Sequence, residues 1–163
     1  EAIKEVNKDT TGLWFFNSSP LAGASQPHRH IQLLRRDPSE LSCPREKWIL
    51  DFDNVNYKNQ RFYKNIILKK FSKTLNKENI HEIYKDLLYK LGLGKPEIDK
   101  KPRYPYNLIF TNHWMLLIKR KTDNLYGISV NALGFAGYIL VTEKSDINYL
   151  KKFGPEMLLE NFL

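Results

Sequence analysis

Two apolar runs in the second half of the chain, joined by only two residues, constrain the fold most. They occupy residues 106–111 and 114–119, and Asn112-His113 connects them. A two-residue connection holds its flanking strands antiparallel, and asparagine suits such a turn because it tolerates positive φ. We therefore predict a β-hairpin here, within an antiparallel sheet.

Two further strands are predicted near the start of the chain. Residues 13–16 form a short aromatic run bounded by turn formers, which favours a buried strand. The side chains of residues 28–36 follow an alternating pattern, which predicts a second strand. Between them, residues 17–27 form a loop rich in small residues with two prolines, and residues 37–47 predict a surface loop.

Helical periodicity dominates the middle of the chain. Residues 61–75 predict a helix whose basic side we interpret as a solvated face. A second helix, carrying residues 80–91, is capped by Asn76 or Asn79 and stopped by Gly92. Residues 95–105 predict a loop, and residues 144–153 a short helix. The basic side of the first helix comprises Lys64, Lys69, Lys70 and Lys73. Strands, then helices, then strands indicate an α+β fold.

Composition limits the class of protein. With 163 residues and 42% hydrophobic content, the chain can bury the core of one domain, which we expect to span residues 1–163. The excess of 26 basic over 18 acidic residues, +8 at pH 7, favours a polyanionic partner. Nucleic acid, nucleotide phosphates and an acidic membrane face all fit that charge.

Nothing in the sequence indicates export or a membrane-spanning segment, and we expect no membrane partner. A transmembrane helix needs ~20 consecutive apolar residues, and the apolar runs here are far shorter. The single cysteine, Cys43, excludes an internal disulfide framework and fits a reducing compartment. No charged-then-apolar leader is visible, so we expect a cytoplasmic protein.

One segment carries a pattern with chemical meaning, Gly23-Ala24-Ser25-Gln26-Pro27-His28-Arg29-His30-Ile31-Gln32. On a strand the side chains of His28, His30 and Gln32 would share one face, because side chains alternate with a period of two. The preceding loop could present backbone N–H groups to an anion, and Gly23 would allow a phosphate to approach closely.

An imidazole pair followed by an amide suits transfer of a phosphorus group. An imidazole with an unperturbed pKa near ~6.5 is largely neutral at pH 7, so one nitrogen can attack phosphorus and form a phospho-histidine. The other nitrogen needs an acceptor that fixes the tautomer, and a backbone carbonyl would serve. Gln32 can donate to a phosphoryl oxygen but cannot act as an acid. The leaving group must therefore depart without a proton.

Two other interpretations of the histidines stay open. His28 and His30 could supply part of a zinc site, although Cys43, His81 and His113 lie in other predicted elements. The pair could also be ordinary strand histidines. We expect no metal bound by the protein itself.

Residues 17–32 closely resemble the signature of the ATP adenylyltransferases. These are the diadenosine tetraphosphate (Ap4A) phosphorylases, a branch of the histidine-triad superfamily. Residues 106–111, 114–118, 127–137 and 153–156 are similar to the same family's C-terminal region. The resemblance implies a histidine-triad-like antiparallel sheet with helices packed on it. It also implies that the chain corresponds to the family's C-terminal half, with the N-terminal half absent.

The resemblance assigns a role to each matching residue. His30 would be the nucleophile that carries AMP, His28 the orienting first histidine, and Gln32 the residue that binds the phosphate. The implied substrate-binding residues are Asn17, Gly23, Ala24, Ser25 and Gln26 in the loop, and Asn131, Ala132 and Leu133 in a second segment.

The implied reaction is reversible: Ap4A and phosphate give ATP and ADP, with Mg²⁺ carried by the substrate. The expected partners are therefore Ap4A, ATP, ADP and phosphate, with a separate N-terminal half as a further one. Nucleic acid is not the expected partner of such an enzyme. Gln32 favours a transferase over a hydrolase, because triad hydrolases have a third histidine there. The alternative is a non-catalytic half-enzyme that binds nucleotide or nucleic acid through its basic surface.

Two positions depart from the family pattern. Tyr138 and Thr142 stand where family members tend to have methionine and lysine. Loss of that lysine would weaken neutralisation of the phosphates unless Lys144 or Lys119 takes its place.

Overall fold

A five-stranded antiparallel sheet forms the centre of the computed structural model, which describes residues 11–37, 39–52, 60–71 and 77–163. The strand order is β2-β1-β4-β5-β3. A separate two-stranded ribbon pairs β6 with β7. The strands are β1 (Thr11–Asn17), β2 (Gln32–Arg36), β3 (Ile66–Lys70), β4 (Tyr106–Phe110), β5 (Trp114–Lys119), β6 (Asn124–Leu125) and β7 (Ile128–Ser129). The predicted hairpin and the α+β class are confirmed.

Five α-helices complete the described part of the chain. They are α1 (Glu46–Leu50), α2 (Gln60–Asn65), α3 (Lys77–Lys90), α4 (Ala132–Ala136) and α5 (Ile147–Glu160). Helix α3 confirms the second predicted helix, and the chain leaves it through Gly92 at φ 71°. Asn76 lies outside the described residues. Helix α5 is interrupted at Gly154, whose backbone is not helical (φ 79°, ψ 168°), so its first segment ends where the predicted helix ends and a second segment continues to Glu160.

The predicted helix over residues 61–75 is wrong. Helix α2 ends at Asn65, and the chain continues directly into the edge strand β3, which pairs with β5. Two adjacent isoleucines begin this strand, and β-branched side chains favour a pleated, half-buried surface. The basic helix face is therefore dispersed. Lys64 lies on α2, Lys69 and Lys70 lie on β3, and Lys73 falls outside the described residues.

The sheet is covered on both faces, which explains the continuous apolar runs of β4 and β5. One face packs against α1, α4 and α5, and the other packs against α3. The first face carries Leu13, Phe15, Ile109, Trp114, Leu116 and Ile118. The second carries Trp14, Phe16, Leu108, Phe110, Met115 and Leu117.

A buried asparagine on β4 joins the sheet to the loops around it. The Asn107 amide nitrogen donates to the side-chain oxygen of Asn17 (2.7 Å) and to the carbonyl of Ala22 (2.8 Å). Its own side-chain oxygen accepts from the Arg120 guanidinium. The Asn17 oxygen also accepts from the backbone N–H of Ala132 at 2.9 Å. One side chain thus links β1, β4, the turn after β1 and the start of α4.

Arg120 extends this network into the interior. Only 2% of the residue is exposed, and its guanidinium donates to the carbonyls of Thr122 (2.6 Å) and Val130 (2.8 Å). The rings of Phe135 and Phe162 lie 5.0 and 5.2 Å from the guanidinium carbon. Burial lowers the pKa of Arg120 to about 9, so the group stays protonated at neutral pH. A buried cation without hydrogen-bond acceptors is costly, which makes these contacts essential to the fold.

The Asn107→Leu variant keeps the volume of the side chain but removes its hydrogen bonds. We expect the free energy of unfolding to fall by about 3–5 kcal/mol, because the Arg120 cation and the Ala22 carbonyl lose a buried partner. Urea denaturation measures this loss. The matched variant Asn124→Leu removes one exposed hydrogen bond to Ser129 and should cost at most about 1 kcal/mol. Equal losses in the two variants would contradict the role of the network.

Cys43 provides a second check on the core. The residue is 1% exposed, and burial raises the pKa of its thiol to about 11. Because the thiolate is the reactive form, we expect the folded protein not to react with Ellman's reagent near neutral pH and the unfolded protein to react fully. Rapid stoichiometric reaction of the folded protein would place Cys43 at the surface instead.

Candidate active site

The segment that carries the two histidines is irregular, so the predicted strand over residues 28–36 is wrong at its start. Strand β2 begins at Gln32, and its pairing with β1 ends at Phe15 opposite Gln32. The chain leaves β1 through a 3₁₀ turn, Pro20–Ala22, and Gly23 ends this turn at φ 83°. The small-residue loop and residues 28–31 therefore run outside the sheet before the chain enters β2.

His28 and His30 nevertheless lie side by side. Their ring centroids are 5.1 Å apart, and the Nδ1 atom of His30 lies 3.2 Å from the carbonyl oxygen of His28. When Nδ1 carries the proton, it donates to this carbonyl, and Nε2 then keeps a free lone pair. His28 is exposed and His30 is half-buried. The acceptor that the nucleophilic tautomer requires is therefore present.

The Gln32 side chain and the cavity that His30 lines lie on opposite faces of the sheet. It lies directly opposite Phe15, whose ring packs on the side of α4 and α5. Residues opposite each other in an antiparallel pair point to the same face, so the Gln32 side chain belongs to that side. The alternation predicted for His28, His30 and Gln32 fails because only Gln32 belongs to the strand.

An aromatic cavity of about 570 Å³ lies beside His30, between the sheet and helix α3. Within it, the hydroxyl groups of Tyr84 and Tyr106 are 2.5 Å apart. Burial raises the pKa of both phenols, so both stay neutral. The cavity is lined by Phe16, Arg29, His30, Ile31, Ile80, His81, Tyr84, Tyr106, Leu108, Phe110 and Met115. Flat aromatic walls of this kind suit a planar apolar ligand group.

A second cavity, of about 610 Å³, lies on the other side of the histidine segment, and we call it the basic cavity. Its walls include His28 and four predicted substrate-binding residues of the loop, Asn17, Ala24, Ser25 and Gln26. The remaining lining residues are Ser18, Ser19, Pro20, Pro27, Arg29, Lys101, Pro102, Arg103, Tyr104 and Pro105. Arg29 lines both cavities, so residues 28–30 separate them.

The sequence analysis assigned no role to the cations that the loop before β4 brings to the basic cavity. Residues 95–105 were predicted only as a loop, which is confirmed, but Lys101 and Arg103 line the cavity beside His28. The signal that could have revealed them is the concentration of Lys100, Lys101 and Arg103 in a segment stiffened by three prolines.

The two predicted substrate-binding segments do meet in space. Gly23 packs against Asn131, and a Cβ atom at Gly23 would lie 2.6 Å from the Asn131 Cβ. Asn131 caps α4, because its side-chain oxygen accepts from the backbone N–H of Leu133 at 2.9 Å. Ala132 is buried and bonded to Asn17. The Asn17 side chain thus bonds the two segments to each other, and Gly23 allows them to pack closely at Asn131.

A third cavity, of about 530 Å³, opens at this junction. It is lined by Gly23 and Asn131 and by both departures from the family pattern, Tyr138 and Thr142, together with Lys144 and others. The other candidate cation, Lys119, lies elsewhere, with its ammonium 3.7 Å from the centre of the Tyr104 ring. Of the two candidate replacements for the family's lysine, Lys144 lies at the loop.

The described residues contain neither a cluster of metal ligands nor a membrane-spanning helix. No group of three or more His, Cys, Asp or Glu side chains there could hold a metal ion, so the zinc interpretation of His28 and His30 finds no third ligand in that part of the chain. No helix in the described ranges is both long and apolar enough to cross a bilayer.

Two family models match adjoining parts of the sequence. Residues 50–162 match the ATP adenylyltransferase C-terminal domain, and residues 1–49 match the Ap4A phosphorylase N-terminal domain. The models meet inside one sheet, since β1 and β2 precede the boundary and β3, β4 and β5 follow it. The assignment of residues 1–163 to a single domain equivalent to the family's C-terminal half stays a prediction.

Solved structures of yeast Ap4A phosphorylase Apa2 have the same fold. The chain matches one such structure with a TM-score of 0.64 at 18% identity, covering 96% of this chain and 56% of that one. The complexes of Apa2 with AMP and with Ap4A match with TM-scores of 0.62 and 0.61 at 17% identity. The chain thus spans little more than half the length of these proteins. The comparison with curated proteins gives no significant match.

The family model covers more than half of the chain, and the sheet with its flanking helices matches the histidine-triad-like fold of Apa2. The chain therefore belongs to the ATP adenylyltransferase family, as its histidine motif indicated.

Proposed function

We propose that this chain transfers AMP from Ap4A to phosphate through a covalent intermediate on His30, yielding ATP and ADP. The observation that carries the proposal is the 3.2 Å contact between the Nδ1 atom of His30 and the carbonyl oxygen of His28. Family membership supports the reaction class, and the Apa2 complexes with AMP and Ap4A support nucleotide ligands. His28 acts through its backbone, as the group that orients the nucleophile.

The first step forms a bond between the Nε2 atom of His30 and the α-phosphorus of Ap4A. The bond from that phosphorus to the bridging oxygen breaks, and the oxygen leaves with the electron pair as the terminal oxygen of ATP. This anion needs no proton at neutral pH, so the site needs no general acid. Nδ1 keeps its proton on the His28 carbonyl, and the positive ring stabilises the adjacent phosphoryl group.

The second step reverses the roles. An oxygen of inorganic phosphate bonds to the α-phosphorus, the P–N bond breaks, and its electron pair returns to Nε2. The product is ADP, and the histidine is regenerated in its starting tautomer. Two displacements of this kind replace one more difficult reaction between two anions.

The other predicted residues surround this centre. The aromatic cavity beside His30 is the proposed site of the adenine ring, which can stack on its aromatic walls. Gly23, Ala24, Ser25 and Gln26 are proposed to hold the phosphates with backbone and polar groups. Asn17, Asn131, Ala132 and Leu133 are proposed to keep the two binding segments in register. Gln32, whose side chain lies on the α4–α5 side of the sheet and away from the aromatic cavity, is proposed as a phosphate ligand only on the strength of its place in the motif.

Cations would assist the reaction in two ways. We propose that Mg²⁺ would enter bound to the polyphosphate and would offset part of its negative charge. We also propose that Lys144, at the cavity beside Gly23, replaces the lysine that the family places at position 142. Because the chain spans 56% of Apa2, a separate N-terminal half is a further proposed partner.

Incubation of the chain with Ap4A and Mg²⁺ should leave an acid-labile AMP group on His30. Intact mass spectrometry should show the mass of one AMP group added to the wild-type chain and none added to His30→Ala, because only His30 supplies the attacking nitrogen. The matched variant His113→Ala removes an exposed histidine from the β4–β5 turn and should be labelled like wild type.

Binding is measured in parallel by calorimetry. An unlabelled wild-type chain that binds Ap4A would refute the covalent mechanism and would favour the non-catalytic nucleotide-binding alternative. Labelling of His30→Ala at the wild-type level would place the nucleophile elsewhere.

A further inference from the structure

We propose that Lys101 and Arg103 form a binding site for the polyphosphate part of the nucleotide, in the basic cavity beside His28. The proposal rests on the proposed function, since the phosphates in question are those beyond the α-phosphorus at His30. It assigns a ligand class to a loop that the histidine motif does not include.

The position of the two cavities gives the substrate its direction. His30 lines the aromatic cavity and His28 lines the basic cavity, while Arg29 lines both. A nucleotide whose base occupies the aromatic cavity and whose α-phosphorus faces His30 can extend its remaining phosphates past Arg29. The basic cavity is the space that receives them.

The charges around the basic cavity suit an anion. Its described lining contains the cations Arg29, Lys101 and Arg103 and no aspartate or glutamate. Of these cations, Arg103 forms an ion pair with Asp99, whose carboxylate oxygen lies 3.5 Å from the guanidinium. Within the described part of the chain, Lys101 has no ion pair within 4.0 Å. Guanidinium and ammonium groups are the usual protein ligands of phosphate oxygens.

The backbone of the loop that carries these cations is anchored before any ligand arrives. The Asp99 carboxylate accepts the backbone N–H of Lys95 at 2.7 Å, and the backbone N–H of Arg103 donates to the carbonyl of Leu93 at 3.0 Å. At the other end, the backbone N–H of Tyr106 donates at 2.8 Å to the hydroxyl of Ser18, in the small-residue loop (residues 17–27). A loop fixed at both ends loses little conformational entropy on binding, which favours affinity.

The experiment compares nucleotides of increasing phosphate number. Calorimetry with Mg²⁺ gives dissociation constants for AMP, ADP, ATP and Ap4A, using His30→Ala as the background of every protein so that no ligand is turned over. The test variant is Lys101→Gln/Arg103→Gln, and Lys101→Gln alone leaves the Arg103 pair with Asp99 intact. The control, Lys151→Gln/Lys152→Gln, removes the same charge from the exposed side of α5.

We expect the double variant to bind ATP and Ap4A at least ~10-fold more weakly than the background protein, while its dissociation constant for AMP changes by less than ~2-fold. Lys101→Gln alone should raise the dissociation constant for ATP at least ~3-fold. The α5 control should raise the dissociation constant of no nucleotide by more than ~2-fold. Inorganic tripolyphosphate should displace ATP from the background protein and lose affinity in the double variant.

Other outcomes would overturn the proposal. If the double variant weakened the binding of AMP and ATP equally, or did not weaken the binding of ATP, the loop would not be the polyphosphate site. Loss of affinity for a single-stranded oligonucleotide alone would assign the loop to nucleic acid. The dissociation constants are measured in the His30→Ala background and so do not depend on AMP labelling of His30. The polyphosphate site and the proposed function can therefore fail independently.

Discussion

The hydrogen bonds of Asn107 are the interaction on which the rest of the structure depends. A single buried amide connects Arg120 below it to Asn17 and Ala22 above it. Through Asn17 the same network reaches the first turn of α4, where Asn131 packs against Gly23. The loop before the histidines is therefore positioned by the core and not by its own sequence. Glycine-containing loops lose much conformational entropy on ordering, so this anchoring would favour the phosphate binding proposed for the loop.

The candidate site divides its work among backbone and side chains. The backbone carbonyl of His28 contacts the ring of His30, the proposed nucleophile, and the Asn17 side chain bonds to the start of α4, which Asn131 caps. The histidine segment separates an aromatic cavity from a basic one, which matches the two chemical halves of a nucleotide. In the proposed mechanism the reacting centre would need no general acid, because the leaving phosphate chain is already an anion and would enter the basic cavity.

Local patterns predicted what local forces determine. The two-residue turn between β4 and β5 required a hairpin, and Gly92 ended α3 as predicted. The helix over residues 61–75 failed because Ile66 and Ile67 pair with Leu117 and Ile118, a contact that spacing alone cannot reveal. The motif identified His28 and His30, but not that Gln32 alone would belong to the strand. Lys101 and Arg103 were missed because they approach the site through the fold, far from the motif in sequence.

The central claim is that the carbonyl of His28 prepares His30 as a nucleophile, and the tautomer of that imidazole tests it most directly. Two-bond ¹⁵N–¹H correlation spectra of the imidazole-labelled chain, recorded in mildly alkaline buffer with His30→Ala for assignment, distinguish the two neutral tautomers. The account predicts a proton on Nδ1 and a free lone pair on Nε2, stabilised by the 3.2 Å contact. A proton on Nε2 would contradict it, because the nitrogen proposed to attack phosphorus would then have no free lone pair.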